Sequence, residues 1–290
     1  MNADGAIGVF DSGLGGLTVL REIRALLPDE KIVYFGDSGR TPYGSKSPDT
    51  VLKYTLQDVN FLLSMNVKAV VIACNTASAC GTATVREKYS LPVIEVVEPG
   101  AEAAVKTTRT GRIGVIGTAA TINSKVYEFA IAKAAKKAGR DDVLYFGKAC
   151  PMFAPLVEEG WWDNKVTRLT AKEYLKPLAE ADIDTLILGC THYPLLAKVI
   201  GEIIGRNVKL INSASVVALA VRDRLEKEQL LKSSCRGNAP ESRITASKID
   251  FPGEYVRFYT SDSVDRFREL GGKFLGSEIE AVEKTDIEAY

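Results

Sequence analysis

The feature that most constrains this chain is an internal repeat. IGVFDS at 7–12 resembles IGVIGT at 113–118, VYFGD at 33–37 resembles LYFGK at 144–148, and VVIACNT at 70–76 resembles LILGCTH at 186–192. The offsets are 106, 111 and 116 residues, so the three matches keep their order and drift apart slowly. Chance likeness between apolar strands explains one such match; three in order indicate a duplicated unit with small loop insertions. Each repeated piece is a short apolar run ending in small or polar residues, as a parallel strand buried on both faces does. The runs are Ile7–Phe10, Lys31–Phe35, Ala69–Ala73, Arg112–Ile116, Val143–Phe146, Thr185–Leu188 and Val208–Ile211. Helical spacing lies between them: Leu17, Leu20, Ile23 and Leu27 share one face, and Pro28 ends that run. Strands alternating with helices predict an α/β fold with parallel sheets, and 290 residues suffice for about two domains.

Duplication gains chemical meaning from what it repeats. In open α/β sheets, ligands bind beyond the carboxyl ends of the strands. Both halves put a cysteine there, Cys74 before Asn75-Thr76 and Cys190 before Thr191-His192. If the halves face each other, the two thiols enter one cleft from opposite sides. A free cysteine is commonly an inert buried thiol. Position at a strand end, with polar residues following as at a helix N-terminus, favours an activated thiol instead, because unpaired N–H groups there stabilise a thiolate. Cys80 and Cys235 lack this context, and Cys150, before Pro151, is ambiguous. Five cysteines with no CxxC spacing do not suggest a disulfide framework. A single histidine, His192, excludes a zinc site built on several histidines. That histidine is either a satisfied, partly buried ring or a proton partner for the neighbouring thiol.

The turn Asp11-Ser-Gly-Leu-Gly-Gly16 follows the first strand. It does not make a dinucleotide fingerprint, because Thr18 stands where the third glycine belongs, and no Gly-Lys pair offers a phosphate loop. Asp11 and Ser12 suit an ammonium partner or acid–base assistance, or they cap the following helix. Asp37 and Arg40 form either a surface turn with its own ion pair or part of the site; the residues leave both open. Tyr43-Gly44, in the bent loop that follows, could offer backbone N–H groups to a carboxylate. Glu158 and Glu159 are either a solvated helix face or a support for the second cysteine. Trp161 and Trp162 read as packing or interface residues. Residues 232–250 read as a long polar surface excursion.

Charge narrows the partners. Lys+Arg and Asp+Glu are both 37, so no basic excess suggests direct nucleic-acid binding. No apolar run is long enough to span a membrane, and MNADGAIGVF lacks the charged and apolar regions of a secretory signal. The expected location is the cytoplasm.

DSGLGGLTV at 11–19, PYG at 42–44, CNTASA at 74–79, CPMFAPLVEEG at 150–160 and GCTHYPLL at 189–196 together resemble the motifs of the bacterial glutamate racemases, within the aspartate/glutamate racemase family. The likeness runs in order over most of the chain and is weakest after about residue 230. Asn212 departs from it where an aspartate is common, which touches only a local capping or hinge contact. The resemblance implies two pseudo-symmetric α/β domains with the active site in the cleft between them. It implies that the chain after about residue 212 returns to the first half, giving one domain of 1–97 plus 213–290 and a second of 98–212. It also implies cofactor-independent, metal-free interconversion of L- and D-glutamate, with D-glutamate supplied to peptidoglycan. Carried over residue by residue, it makes Cys74 and Cys190 the catalytic thiols and Asp11, Glu158 and His192 their acid–base helpers. Asp11, Ser12, Tyr43, Gly44, Asn75, Thr76, Thr118 and Thr191 become substrate-holding residues. Asp11 is expected near Cys74, with His192 and Glu158 near Cys190.

The chemistry of the residues agrees with this. Racemisation takes a proton from one face of Cα and returns one to the other, and one thiol per duplicated half supplies two faces. No lysine-centred signal asks for pyridoxal phosphate. Two alternatives stand beside this reading: a racemase of another acidic amino acid such as aspartate, and a non-catalytic module that binds a small ligand. The sequence does not fix the oligomeric state; a homodimer is carried as an expectation.

Overall fold

A computed structural model describes residues 3–235 and 249–290. The first parallel sheet contains β1 (Ala6–Asp11), β2 (Ile32–Gly36), β3 (Val67–Ile72), β4 (Val93–Glu95), β9 (Val256–Thr260) and β10 (Val282–Lys284). The second contains β5 (Arg112–Gly117), β6 (Leu144–Ala149), β7 (Thr185–Gly189) and β8 (Lys209–Asn212). Their orders are β10-β9-β2-β1-β3-β4 and β6-β5-β7-β8. Stripped of β9 and β10, the first order is the second one shifted by four strands. The duplication read from three short matches is therefore a duplication of topology. Every strand pairing is parallel.

The central strands β1, β3, β5 and β7 are buried almost throughout. Their continuous apolar runs follow from having helices on both faces. α1 (Leu17–Leu26) buries Leu17, Leu20 and Ile23, the stripe visible in the sequence, and stops just before Pro28. α3 (Asn75–Lys88) follows β3 and is capped by Cys74 itself. α4 (Val97–Thr107) carries the chain to the second sheet, and its first turn is closed by Glu95, whose carboxylate accepts from the N–H groups of Val97 and Glu98. α6 (Val126–Lys137) packs on α4. α10 (Ser213–Lys227) brings the chain back against α1, capped by the Asn212 side chain on the Ala214 N–H at 3.0 Å. The departure at Asn212 thus still makes the capping contact it put in question. β9 then adds to the outer edge of β2, so the returning chain does join the first sheet.

A buried ion pair fixes this return. Lys68, on β3, lies 2.5 Å from Glu30 and donates to the carbonyls of Ala3 and Leu230; Glu30 in turn accepts from the Lys232 N–H. Both side chains are fully buried. The expected surface excursion at 232–250 falls for the most part, at 236–248, outside the described residues. Among the described residues, no helix is long and apolar enough to cross a membrane.

Candidate active site

The strand ends of the two sheets meet through a continuous set of side-chain contacts. Cys74 lies at the end of β3 as the N-cap of α3, with its sulfur 3.4 Å from the Ala77 N–H and 3.5 Å from Ser12 Oγ. Asp11, the last residue of β1, is fully buried; its carboxylate accepts from the Gly13 N–H at 3.0 Å and from Thr191 Oγ1 of the other half at 3.2 Å. Thr76 Oγ1 meets Thr118 Oγ1 at 2.9 Å and Thr121 Oγ1 at 3.3 Å, so three hydroxyls join α3 to α5 (Ala119–Asn123). Tyr127, on α6, donates to Asn75 Oδ1 at 2.7 Å. Cys190 ends β7, 3.7 Å from His192 Nδ1, and His192 Nε2 lies 3.1 Å from Glu158 Oε1, on α7 (Phe153–Glu158).

Two glycines are required for this closeness. A Cβ on Gly15 would lie 2.2 Å from Thr191 Oγ1 and 2.6 Å from His192 Nδ1. A Cβ on Gly44 would lie 2.6 Å from Thr118 Cβ. Within the first turn, Gly15 therefore serves contact with the second half, while Gly13 and Gly16 face Thr41 and Asp11 of their own half.

The titrating groups differ between the two sides. Burial pushes the Cys74 thiol up to about 12, with the Asp11 charge adding to it, and the Ser12 and Ala77 contacts offset only part of this. The expectation that a helix N-terminus would hold this thiol low is thereby corrected: one N–H at 3.4 Å does not outweigh complete desolvation beside a carboxylate. Asp11 itself is raised by burial, against the pull of His192 and of the hydrogen bonds from Gly16, Thr191 and Gly13. On the other side, burial would lower His192, but the hydrogen bonds and charges of Cys190 and Glu158 overcome it and lift the ring to about 10. Both ring nitrogens face acceptors, as a doubly protonated imidazolium requires. Glu158 is pushed up by burial, but His192, with a further contribution from Arg266, brings it below the ordinary carboxylate range. Cys190 is followed by a short 3-10 turn, Tyr193–Leu196, rather than directly by an α-helix; its support comes from His192.

Of the open sequence readings, Glu158 proves to be the partner of the second cysteine's histidine, while Glu159 is exposed. Asp37 and Arg40 do form an internal ion pair at 2.7 Å, extended by Asp58 at 3.1 Å. The Tyr43 hydroxyl is held by Asp37 and Asp58, which leaves the backbone of the Tyr43-Gly44 turn as the part beside Thr118. Cys150 is buried with its sulfur against the Lys148 carbonyl at 3.6 Å, and burial pushes its thiol up to about 12. Cys80 lies within α3, partly buried against the apolar cluster that includes Phe10, Phe61 and Leu62. Trp162 packs edge-on against Phe274, and Trp161 is half exposed. Thr121 and Tyr127 belong to the contact set without any signal in the sequence, because each acts by touching the opposite half.

Two parallel α/β sheets with a thiol at equivalent strand ends, each backed by an acid–base partner, define a class built for proton traffic on two faces of one bound molecule. The chain belongs to the Asp/Glu/hydantoin racemase family, whose model matches residues 7–221. It is 47% identical to the glutamate racemase of Geobacter metallireducens over 98% of this chain and 97% of that one. Among solved structures, it is similar to a glutamate racemase isoform of Bacillus anthracis, RacE1, with a TM-score of 0.86 and 39% identity over 97% of each chain. It is also similar to the Francisella tularensis glutamate racemase solved in complex with D-glutamate, with a TM-score of 0.85 and 35% identity over 99% of this chain and all of that one.

Proposed function

We propose that this protein interconverts L- and D-glutamate by a two-thiol mechanism without cofactor or metal, supplying D-glutamate for peptidoglycan in the cytoplasm. The observation that carries this reading is the pair Cys74 and Cys190 at equivalent strand ends, each with its own acid–base neighbour. The thiol carrying no proton takes the α-proton while the other returns one from the opposite face. Cys190, beside the imidazolium, is the base toward L-glutamate, and Cys74, beside Asp11, is the base toward D-glutamate. The α-proton is weakly acidic, so the site has to stabilise a carbanion. Hydroxyls of Thr76, Thr118 and Thr191, the Asn75 amide and the backbone of the Tyr43-Gly44 turn would brace the α-carboxylate as charge develops on it. Fixed donors in a cleft closed to water stabilise that charge more than mobile solvent does. Asp11 and Ser12 suit the ammonium group. The domains implied are 1–97 plus 213–290 and 98–212, free to part for substrate entry, and the expected assembly is a homodimer.

The test is solvent deuterium wash-in at Cα of glutamate by protein dialysed exhaustively against a chelator. Exchange and racemisation with no addition support the reading. Activity restored only by pyridoxal phosphate or a divalent ion would sink it, and glutamate bound without exchange would leave a binding module. Aspartate in the same assay tests the nearest alternative: one methylene is worth only about 1–3 kcal/mol in a pocket, so the ratio of kcat/KM values decides.

A further inference from the structure

Asn75 is 2% exposed and its Nδ2 has no hydrogen-bond partner among the described residues. A buried amide donor left unpaired costs about 1–3 kcal/mol, so such groups call for an explanation. The other end of the same amide is held: Oδ1 accepts from the Tyr127 hydroxyl at 2.7 Å. Tyr127 is itself fixed. It is fully buried at the start of α6, with Gly189 and Gly100 leaving room on its flanks: a Cβ on Gly189 would come 3.1 Å from the Tyr127 ring, and one on Gly100 would come 3.6 Å from the hydroxyl. A rigid phenol from one half thus dictates which end of an amide from the other half stays free, immediately beside Cys74.

We infer that Tyr127 is a positioning residue that orients the Asn75 side chain so that Nδ2 meets an acceptor oxygen of the ligand, a carboxylate in the reading above, on which this inference rests. Turned over, the amide would give Nδ2 to Tyr127 and present Oδ1 to that carboxylate, placing two acceptors face to face. With Tyr127 donating, Nδ2 is the end of the amide left to meet an acceptor, and a ligand oxygen there would satisfy both ends. Because the contact joins the two halves, it also favours the arrangement in which the hydroxyls of Thr76 and Thr118 meet.

The test combines Tyr127→Phe, Asn75→Ala, the double variant and Asn75→Asp. KM and kcat are measured from each enantiomer, with glutamate Kd read by calorimetry and Tm by thermal melting. Loss of an oriented donor to a charged acceptor, about 1.4 kcal/mol or more, should raise KM and Kd about tenfold in Tyr127→Phe, with kcat changed much less. The double variant should bind no more weakly than Asn75→Ala alone, since the hydroxyl acts through the amide. Asn75→Asp, which offers only acceptors, should weaken binding at least as much as Tyr127→Phe. A purely structural hydroxyl would lower Tm and leave KM in place, which overturns the inference. So would additive losses in the double variant, or near-normal glutamate affinity in Asn75→Asp, a result that stands even if Tyr127→Phe fails to fold. Failure of the parent reading looks different: the unsubstituted protein would then not turn over glutamate, whether or not it binds it.

Discussion

Glu158→Gln removes one of the two groups that keep a proton on His192 and leaves the shape of the site intact. The step from an ordinary 6.5 to about 10 corresponds to about 5 kcal/mol of preference for the imidazolium, at ~1.4 kcal/mol per tenfold change in proton affinity. Cys190 and Glu158 must together supply this and also overcome the opposing cost of burial. The Glu158 side chain is 26% exposed, so solvent screens it and its share is about 1–2 kcal/mol. Its neutral amide should therefore bring the His192 midpoint down by about one pH unit. Because His192 is the only histidine, its ring signals in NMR are unambiguous across a pH titration. The sign extends to stability. A histidine raised in the folded state contributes fully below 6.5 and loses that contribution as pH rises through about 10. The native protein should accordingly lose thermal stability across that window, and Glu158→Gln should lose less and finish at a lower pH. A ring that titrates near 6.5 in the unsubstituted protein, or a midpoint that Glu158→Gln leaves in place, would refute the relay from Glu158 through His192 to Cys190.

Other perturbations probe other parts of the fold. Gly15→Ala should nearly abolish turnover while the protein still folds, since its methyl would press on Thr191 and His192; circular dichroism beside an activity assay checks this, and normal activity would mean the two halves do not close as described. Lys68→Met strands Glu30 as a buried, unpaired carboxylate and should cost about 3–5 kcal/mol, read as a reduced denaturation midpoint in urea; a change under 1 kcal/mol would show that Glu30 takes up a proton or reaches water at little cost. Cys74→Ser or Cys190→Ser should each slow racemisation by on the order of ~4 kcal/mol or more of barrier, and near-normal racemisation by either variant would exclude two-thiol catalysis. Asp11→Asn and His192→Asn should change kcat and the primary isotope effects in deuterium oxide unequally for the two enantiomers and in opposite senses, while kcat/KM stays equal from both sides because the equilibrium constant is one; identical patterns in both variants would mean that the helpers are not divided between the thiols.

What could be read from the sequence follows from how each element is stabilised. Strands β1, β3, β5 and β7 are buried by helices on both faces and so appear as plain apolar runs. β4 and β10 have three residues each, too few to show a period. β9 reads Val256-Arg-Phe-Tyr-Thr260, with Arg257 exposed, and that interruption hides it. In the site, Cys190 and His192 were legible because they are neighbours in the chain. Glu158 was ambiguous because its partner lies 34 residues away. Tyr127 carries no signal, since a side chain that acts by touching the other half leaves no trace in local spacing, and Gly15 is visible only as part of a glycine-rich turn whose contact with Thr191 and His192 the spacing does not show. The thiol environment of Cys74 was misjudged for a related reason: position at a helix start is visible in a sequence, but the depth of burial that overrides it is not.

The duplication makes the two thiols equivalent in position and leaves them unequal in surroundings, and the inequality has a use. A racemase must pass through two states that differ only in which thiol holds the proton. The surroundings are one-sided: Cys74 is desolvated beside Asp11, which pushes its thiol up, while Cys190 has the His192 ring 3.7 Å from its sulfur. In the proposed mechanism Cys190 is the base toward L-glutamate. The opposite direction of that mechanism needs Cys74 as the thiolate, which its burial beside Asp11 opposes and a positive charge on the ligand would support. A substrate ammonium held by Asp11 and Ser12, as proposed, would supply near Cys74 the positive charge that His192 offers on the other side. On that mechanism the substrate would be part of the electrostatics it exploits: a fold with one histidine could serve two faces because the second cation arrives with the ligand.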